Sequence, residues 1–268
     1  MIPDFTFKKC SAWGEMLRRS AGERLREEDK FKTPTFRDSA NETSLTEEEK
    51  RDIEILLRAL HDAPYWHHNF FYSKDASIGD TVELSEERKT YLELYVERGL
   101  LPEKEDDWNK DAVKELKASR VLGEYTDSTI ILYINNIKDT ANEQNAPEFY
   151  GLPYLTVTRY VYLHELMHAF FERKENEGYE YNRETEEGFA EFGALLLLDQ
   201  LVNTSPDGEP IPEVNHASKD ELEWAIRHVE RKKGALECYS RGAELFKKYG
   251  RDKELSKKML EAYPKSVE

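Results

Sequence analysis

The string His164-Glu165-Leu166-Met167-His168 constrains this chain more than any other feature. Two histidines four apart on a helix project from one face, so both ring nitrogens can reach a single metal ion. Glu165 follows about 100° around such a helix from His164, which sets it beside the ion and not on it. That is where a carboxylate must sit to take a proton from metal-bound water. Catalytic zinc takes about three protein ligands and keeps one position open. A second helix therefore has to bring the third ligand, and the segment around Glu187 offers it.

That segment holds rivals. Glu184, Glu187 and Glu191 are three and four apart and share one helical face, with Glu186 pointing elsewhere. One of the three takes the metal, and a solvated helix face accounts for Glu184. His164-Glu165-Leu166-Met167-His168, eighteen intervening residues and Glu187-Gly188-Phe189-Ala190 together resemble the gluzincin clan of metallopeptidases. The spacing and the Glu-Gly-Phe-Ala string are closest to its aminopeptidase N-like members. The resemblance covers roughly residues 120–201, under a third of the chain.

The resemblance implies a zinc-dependent peptidase with one Zn2+ per chain, held by His164, His168 and Glu187, and with Glu165 activating the zinc-bound water. Glu191 then fits an outer position, orienting a ligand histidine, although related enzymes often carry aspartate there. Tyr239, Tyr249 and His228 are candidates for stabilising the oxyanion. A peptide or protein substrate would lie along an edge strand near residues 129–134 by β-augmentation. One departure matters: no Gly-x-Met-Glu-Asn-like string precedes the motif. Recognition of a free α-amine is therefore not expected, and endo- and exopeptidase action stay equally open.

The fold class expected is α+β, a zincin-like core of a small twisted sheet over an active-site helix and a glutamate helix, flanked by helical regions. Residues 1–118 read as an N-terminal helical, charge-rich region, 119–205 as the catalytic core and 206–268 as a C-terminal helical region. In the first region a short helix is expected at 13–26. A capping box (Thr46, Glu49) opens another helix, and helices are expected at 85–98 and 108–118. Runs 120–126 and 129–134 read as a hairpin across Asp127-Ser128, with Asn135 and Asn136 ending the second strand. Pro153 suits the first turn of the motif helix, expected to run to Arg173. After a loop at 175–181 the glutamate helix runs from near Asn182 to Leu201. Ser218 and Glu221 form a second capping box.

A net charge of −16 argues against nucleic acid or an anionic membrane face as the partner. No apolar run reaches signal-peptide or membrane-span length, so a soluble, cytoplasmic protein is expected. Cys10 and Cys238 form no CxxC pair and are expected to be reduced thiols. His67-His68 beside Trp66 and Phe70 reads as aromatic packing, and His61 and His216 carry no pattern. A rival functional reading is a latent or inactive zincin-fold protein that binds or regulates. A purely structural zinc site is disfavoured, because such sites use four ligands and prefer cysteine.

Overall fold

A computed structural model describes residues 35–38, 45–61, 81–101, 108–149, 151–176, 183–202 and 217–252. These form an α+β fold. The strands are β1 (Thr35–Asp38), β2 (Thr81–Ser85), β3 (Gly123–Thr126) and β4 (Thr129–Tyr133). The helices are α1 (Glu47–His61), α2 (Tyr91–Glu97), α3 (Lys110–Ala118), α4 (Ile134–Glu143), α5 (Pro153–Asn176), α6 (Arg183–Val202), α7 (Lys219–Glu230) and α8 (Glu237–Tyr249). The short helix expected at 13–26, Cys10, the His67-His68 pair and His216 lie outside the described residues.

One four-stranded sheet has the order β1-β2-β4-β3. β1, β2 and β4 run parallel, and β3 is antiparallel to β4. The hairpin forms where expected. Asp127 and Ser128 both take positive φ, 48° and 60°, the twist that a two-residue turn needs to match its strands. Two expectations are overturned. β4 is not an edge, because β2 and β3 flank it; β3 is the edge strand beside the motif helix. Nor is the first region purely helical, since β1 and β2 come from it. The Thr-Val-Glu-Leu-Ser run of β2 alternates with Val82 and Leu84 buried, the period of a half-buried strand. The expected helix at 85–98 shortens accordingly to α2, which opens on its own capping box, Thr90 with Glu93.

The register fixes which backbone groups β3 leaves unpaired. Tyr133 N donates to Leu122 O at 3.0 Å, and Gly123 to Thr126 pair in sequence with Leu132 to Thr129. In an antiparallel ladder alternate residues face the partner. Residues 122, 124 and 126 therefore face β4, while Gly123 and Tyr125 turn their N–H and C=O groups to the edge that no described strand covers.

α4 was not expected. Asn135 and Asn136 do not trail off the strand; the helix begins at its last residue. Asn136 is buried, and its amide donates to Lys89 O and Val121 O, both at 2.8 Å. It ties the strand end to the approach to α2.

The capping boxes of α1 and α7 form as read. Thr46 N donates to Glu49 Oε2 at 2.9 Å, and Ser218 Oγ accepts from Glu221 N at 3.1 Å. α5 packs across β3 and β4 on one side and against α4 and α6 on others, and α6 packs on α8. Its apolar residues face all directions (Leu155, Val157, Val161, Leu163, Phe170 and Phe171 are all buried), as befits a central helix. The main cluster of buried side chains runs from Leu45 to Ala243, so all three stretches of the chain share it.

One buried ion pair locks α7 to α5. Arg159 is fully buried and its Nη1 donates to Glu221 Oε2 at 3.3 Å. Thr156 Oγ1 donates to the other oxygen at 2.9 Å, and the guanidinium lies 3.8 Å from the Phe149 ring centroid. Glu221→Ala removes the carboxylate of a buried ion pair and a cap, so it should cost about 3 kcal/mol or more. Urea titration would show it, and a loss under about 1 kcal/mol would contradict this account.

Candidate metal centre

α5 sets His164 and His168 one turn apart, and α6 brings the carboxylates. The rings meet edge to face, 4.9 Å between centroids. His164 Nε2 and His168 Nε2 are 3.1 Å apart. Glu187 Oε2 lies 3.4 Å from the first and 3.2 Å from the second. Three ligand atoms on a tetrahedral zinc with bonds of about 2.0–2.1 Å would be about 3.3 Å from one another. The triangle in this protein has that size, and its two imidazoles and one carboxylate are a donor set zinc accepts. The same three residues are the described group whose ligand atoms converge closely enough to hold a metal ion.

The outer ring nitrogens point the inner ones inward. His168 Nδ1 lies 2.7 Å from Glu186 Oε1. A carboxylate only accepts, so Nδ1 carries the proton and the Nε2 lone pair faces the triangle. His164 Nδ1 lies 3.3 Å from Glu191 Oε2, ion-pair distance without the angle of a good hydrogen bond. Glu191 thus lies beside the outer nitrogen of His164, without the hydrogen bond expected of it. Glu186 corrects the expectation that it points elsewhere: adjacent on α6 to Glu187, it reaches past it to the second histidine. Helical periodicity carries no signal for that, because the contact depends on how α5 and α6 cross. The side chain of Glu184 lies outside the described residues.

Comparison with protein-family models, with curated proteins and with solved structures finds no match to this chain. Chemistry has to be read from charge and geometry.

Opposite charges hold the cluster together. Burial alone would lower the pKa of His164, but Glu191, then Glu187 and Glu165, raise it to about 9. Burial opposes protonation of His168 too, and Glu187 and Glu186 drive its pKa well above the ordinary histidine value. Burial pushes Glu187 upward, yet the two imidazoles hold it well below the usual carboxylate range. Metal-free, the cluster retains protons that a divalent cation would replace.

Glu165 has a different environment. It is 4% exposed, and burial raises its pKa against the pull of His164, His168 and Arg98, with Glu187 adding to the rise. A carboxylate so placed, with its pKa raised by burial, is better suited to take up a proton and give it back than a solvated one. It packs against Gly123 of the edge strand. A Cβ at Gly123 would come within 2.6 Å of Val161 Cγ1 and 2.8 Å of Glu165 Oε1. Gly123→Ala should therefore displace the carboxylate, and on the peptidase reading proposed below it should cut kcat/KM by about a hundredfold without removing a metal ligand. An alanine variant as active as the parent would show that Glu165 does not need this seat.

A cavity of about 700 Å³ opens over the cluster, lined by β3 from Gly123 to Thr126, by Glu165 and by Tyr239 and His228 among others. Of the three oxyanion candidates, Tyr239 stacks on His164 with centroids 6.2 Å apart. His228 lines the cavity but stacks on Trp224, 5.3 Å away, and burial, then Lys232, lower its pKa to about 3. Tyr249 is packed against the core and does not line the cavity. No helix among the described residues is long and apolar enough to cross a membrane.

Proposed function

We propose that this chain is a zinc-dependent peptidase with a zincin-like core. The observation that carries the reading is the convergence of His164 Nε2, His168 Nε2 and Glu187 Oε2 within 3.1–3.4 Å of one another, with Glu165 next to them on the cavity wall. The resemblance to the gluzincins rests on the same residues and supports it. So does the layout: one helix with the two histidines, a second with the carboxylate ligand, and an antiparallel edge strand alongside.

Zinc at these three residues would supply the Lewis acidity that polarises a peptide carbonyl and acidifies water. Glu165 takes the proton from the attacking water and returns it to the leaving amine. Glu186 holds the His168 tautomer, and Glu191 lies beside the Nδ1 of His164. Gly123 and Tyr125 offer their outward N–H and C=O groups to an extended substrate, so the docking edge is β3 and not the strand at 129–134. Tyr239 is the best placed of the three candidates to stabilise the oxyanion.

The test is cleavage of a mixed peptide library by the zinc-loaded protein, read by mass spectrometry. Cleavage that stops on chelation and returns with zinc is expected. Zinc-loaded protein that cleaves nothing would overturn the peptidase reading in favour of a latent or binding protein.

A further inference from the structure

Lys232 lies in the connection between α7 and α8, within the basic run Arg231-Lys232-Lys233. Such a run reads as a solvated turn. Yet the Lys232 side chain is only 16% exposed, and its Nζ donates to Glu191 Oε1 at 3.0 Å. The same ammonium sits 4.1 Å from the centroid of the Tyr239 ring and 5.9 Å from that of Tyr91. Glu191 and Tyr239 are the two side chains that bound His164 on its outer side, one at its Nδ1 edge and one against its face.

We propose that Lys232 is a positioning residue for the metal centre, holding Glu191 and Tyr239 against His164 and so aiming the Nε2 of that ring at Glu187 and His168. The proposal rests on the zinc reading above. Glu191 is 1% exposed on its side chain. Among the described residues Lys232 is the only lysine or arginine paired with it. The lysine occupies Oε1, and Tyr160 donates its hydroxyl to Oε2. That division turns Oε2 towards His164. The cation over the Tyr239 ring fixes the second wall. The closeness of α8 that this requires is built in: a Cβ at Gly242 would meet Glu191 Cβ at 2.3 Å.

A merely structural ion pair would lower stability without touching the metal. The two roles separate in the zinc dissociation constant, measured by competition with a chelator, and in the visible spectrum of the cobalt-substituted protein. Lys232→Met should weaken zinc binding about 10- to 100-fold and alter the cobalt spectrum, and Lys232→Arg should restore most of both. Lys232→Met combined with Glu191→Gln should lose less zinc affinity than the product of the two single losses, because the lysine acts in part through the carboxylate. If Lys232→Met fails to fold, Lys232→Gln makes the same comparison. Parental zinc affinity and cobalt spectrum in the lysine variant, or losses that multiply in the double variant, would overturn the positioning role alone. Failure of the parent chain to take up zinc would overturn the zinc reading and this proposal with it.

Discussion

Glu165→Gln is expected to abolish peptide cleavage while leaving zinc in place. The carboxylate is not part of the three-atom triangle, so amidation removes no ligand. No hydrogen bond from another described residue reaches it, so amidation breaks none, and the new amide N–H groups lie on the cavity wall. It also removes a buried charge whose pKa burial already raises, and the variant should melt no lower than the parent. What disappears is the proton carrier. Loss of a general base costs about 10²–10⁴-fold, and the other carboxylates cannot replace it. On the zinc reading Glu187 is a ligand, and Glu186 and Glu191 lie at the outer nitrogens of the histidines. Activity within tenfold of the parent, at equal zinc content, would assign the base to another residue.

The second large effect is loss of the metal. His168→Ala removes one corner of the triangle and releases Glu186, and the two ligands left should retain no zinc through dialysis. The consequence reaches the fold. A ligand present at about a thousand times its dissociation constant stabilises a protein by about 4 kcal/mol. Adding zinc should therefore raise the melting temperature of the parent by roughly several degrees and leave that of His168→Ala unmoved. The pH dependence has a definite sign. Without metal the pKa of His164 is raised to about 9 and that of His168 lies well above its usual value. Their extra stabilisation of the metal-free protein is complete below the unfolded pKa and is lost as pH rises through the folded values. Zinc must displace these protons, so its apparent affinity should climb from neutral pH towards pH 9. Calorimetry in buffers of different ionisation enthalpy would count the protons released. An affinity flat over that range would contradict the protonated cluster.

The centre was more legible in sequence than the frame around it. The His164 and His168 pair follows from helical spacing alone, and the turn at Asp127-Ser128 and both capping boxes are local signals with local consequences. Glu187 needed the resemblance to separate it from Glu191, and α6 brings both to His164. Glu186, Lys232 and Gly123 were not visible, because each acts through a contact between elements whose crossing no period encodes. β2 was hidden by its length: five residues with three buried positions look like the start of the helical pattern that follows. The edge strand was misassigned for a related reason. β4 gains its second neighbour from β2, more than forty residues upstream, and a hairpin alone does not say which of its strands stays free.

The most direct test is the metal content of the chain purified without chelators, by elemental analysis of parent and His168→Ala side by side. One zinc per parent chain, and none in the variant, is the predicted result. A parent that carries no metal and takes up none on incubation with zinc would contradict the central claim.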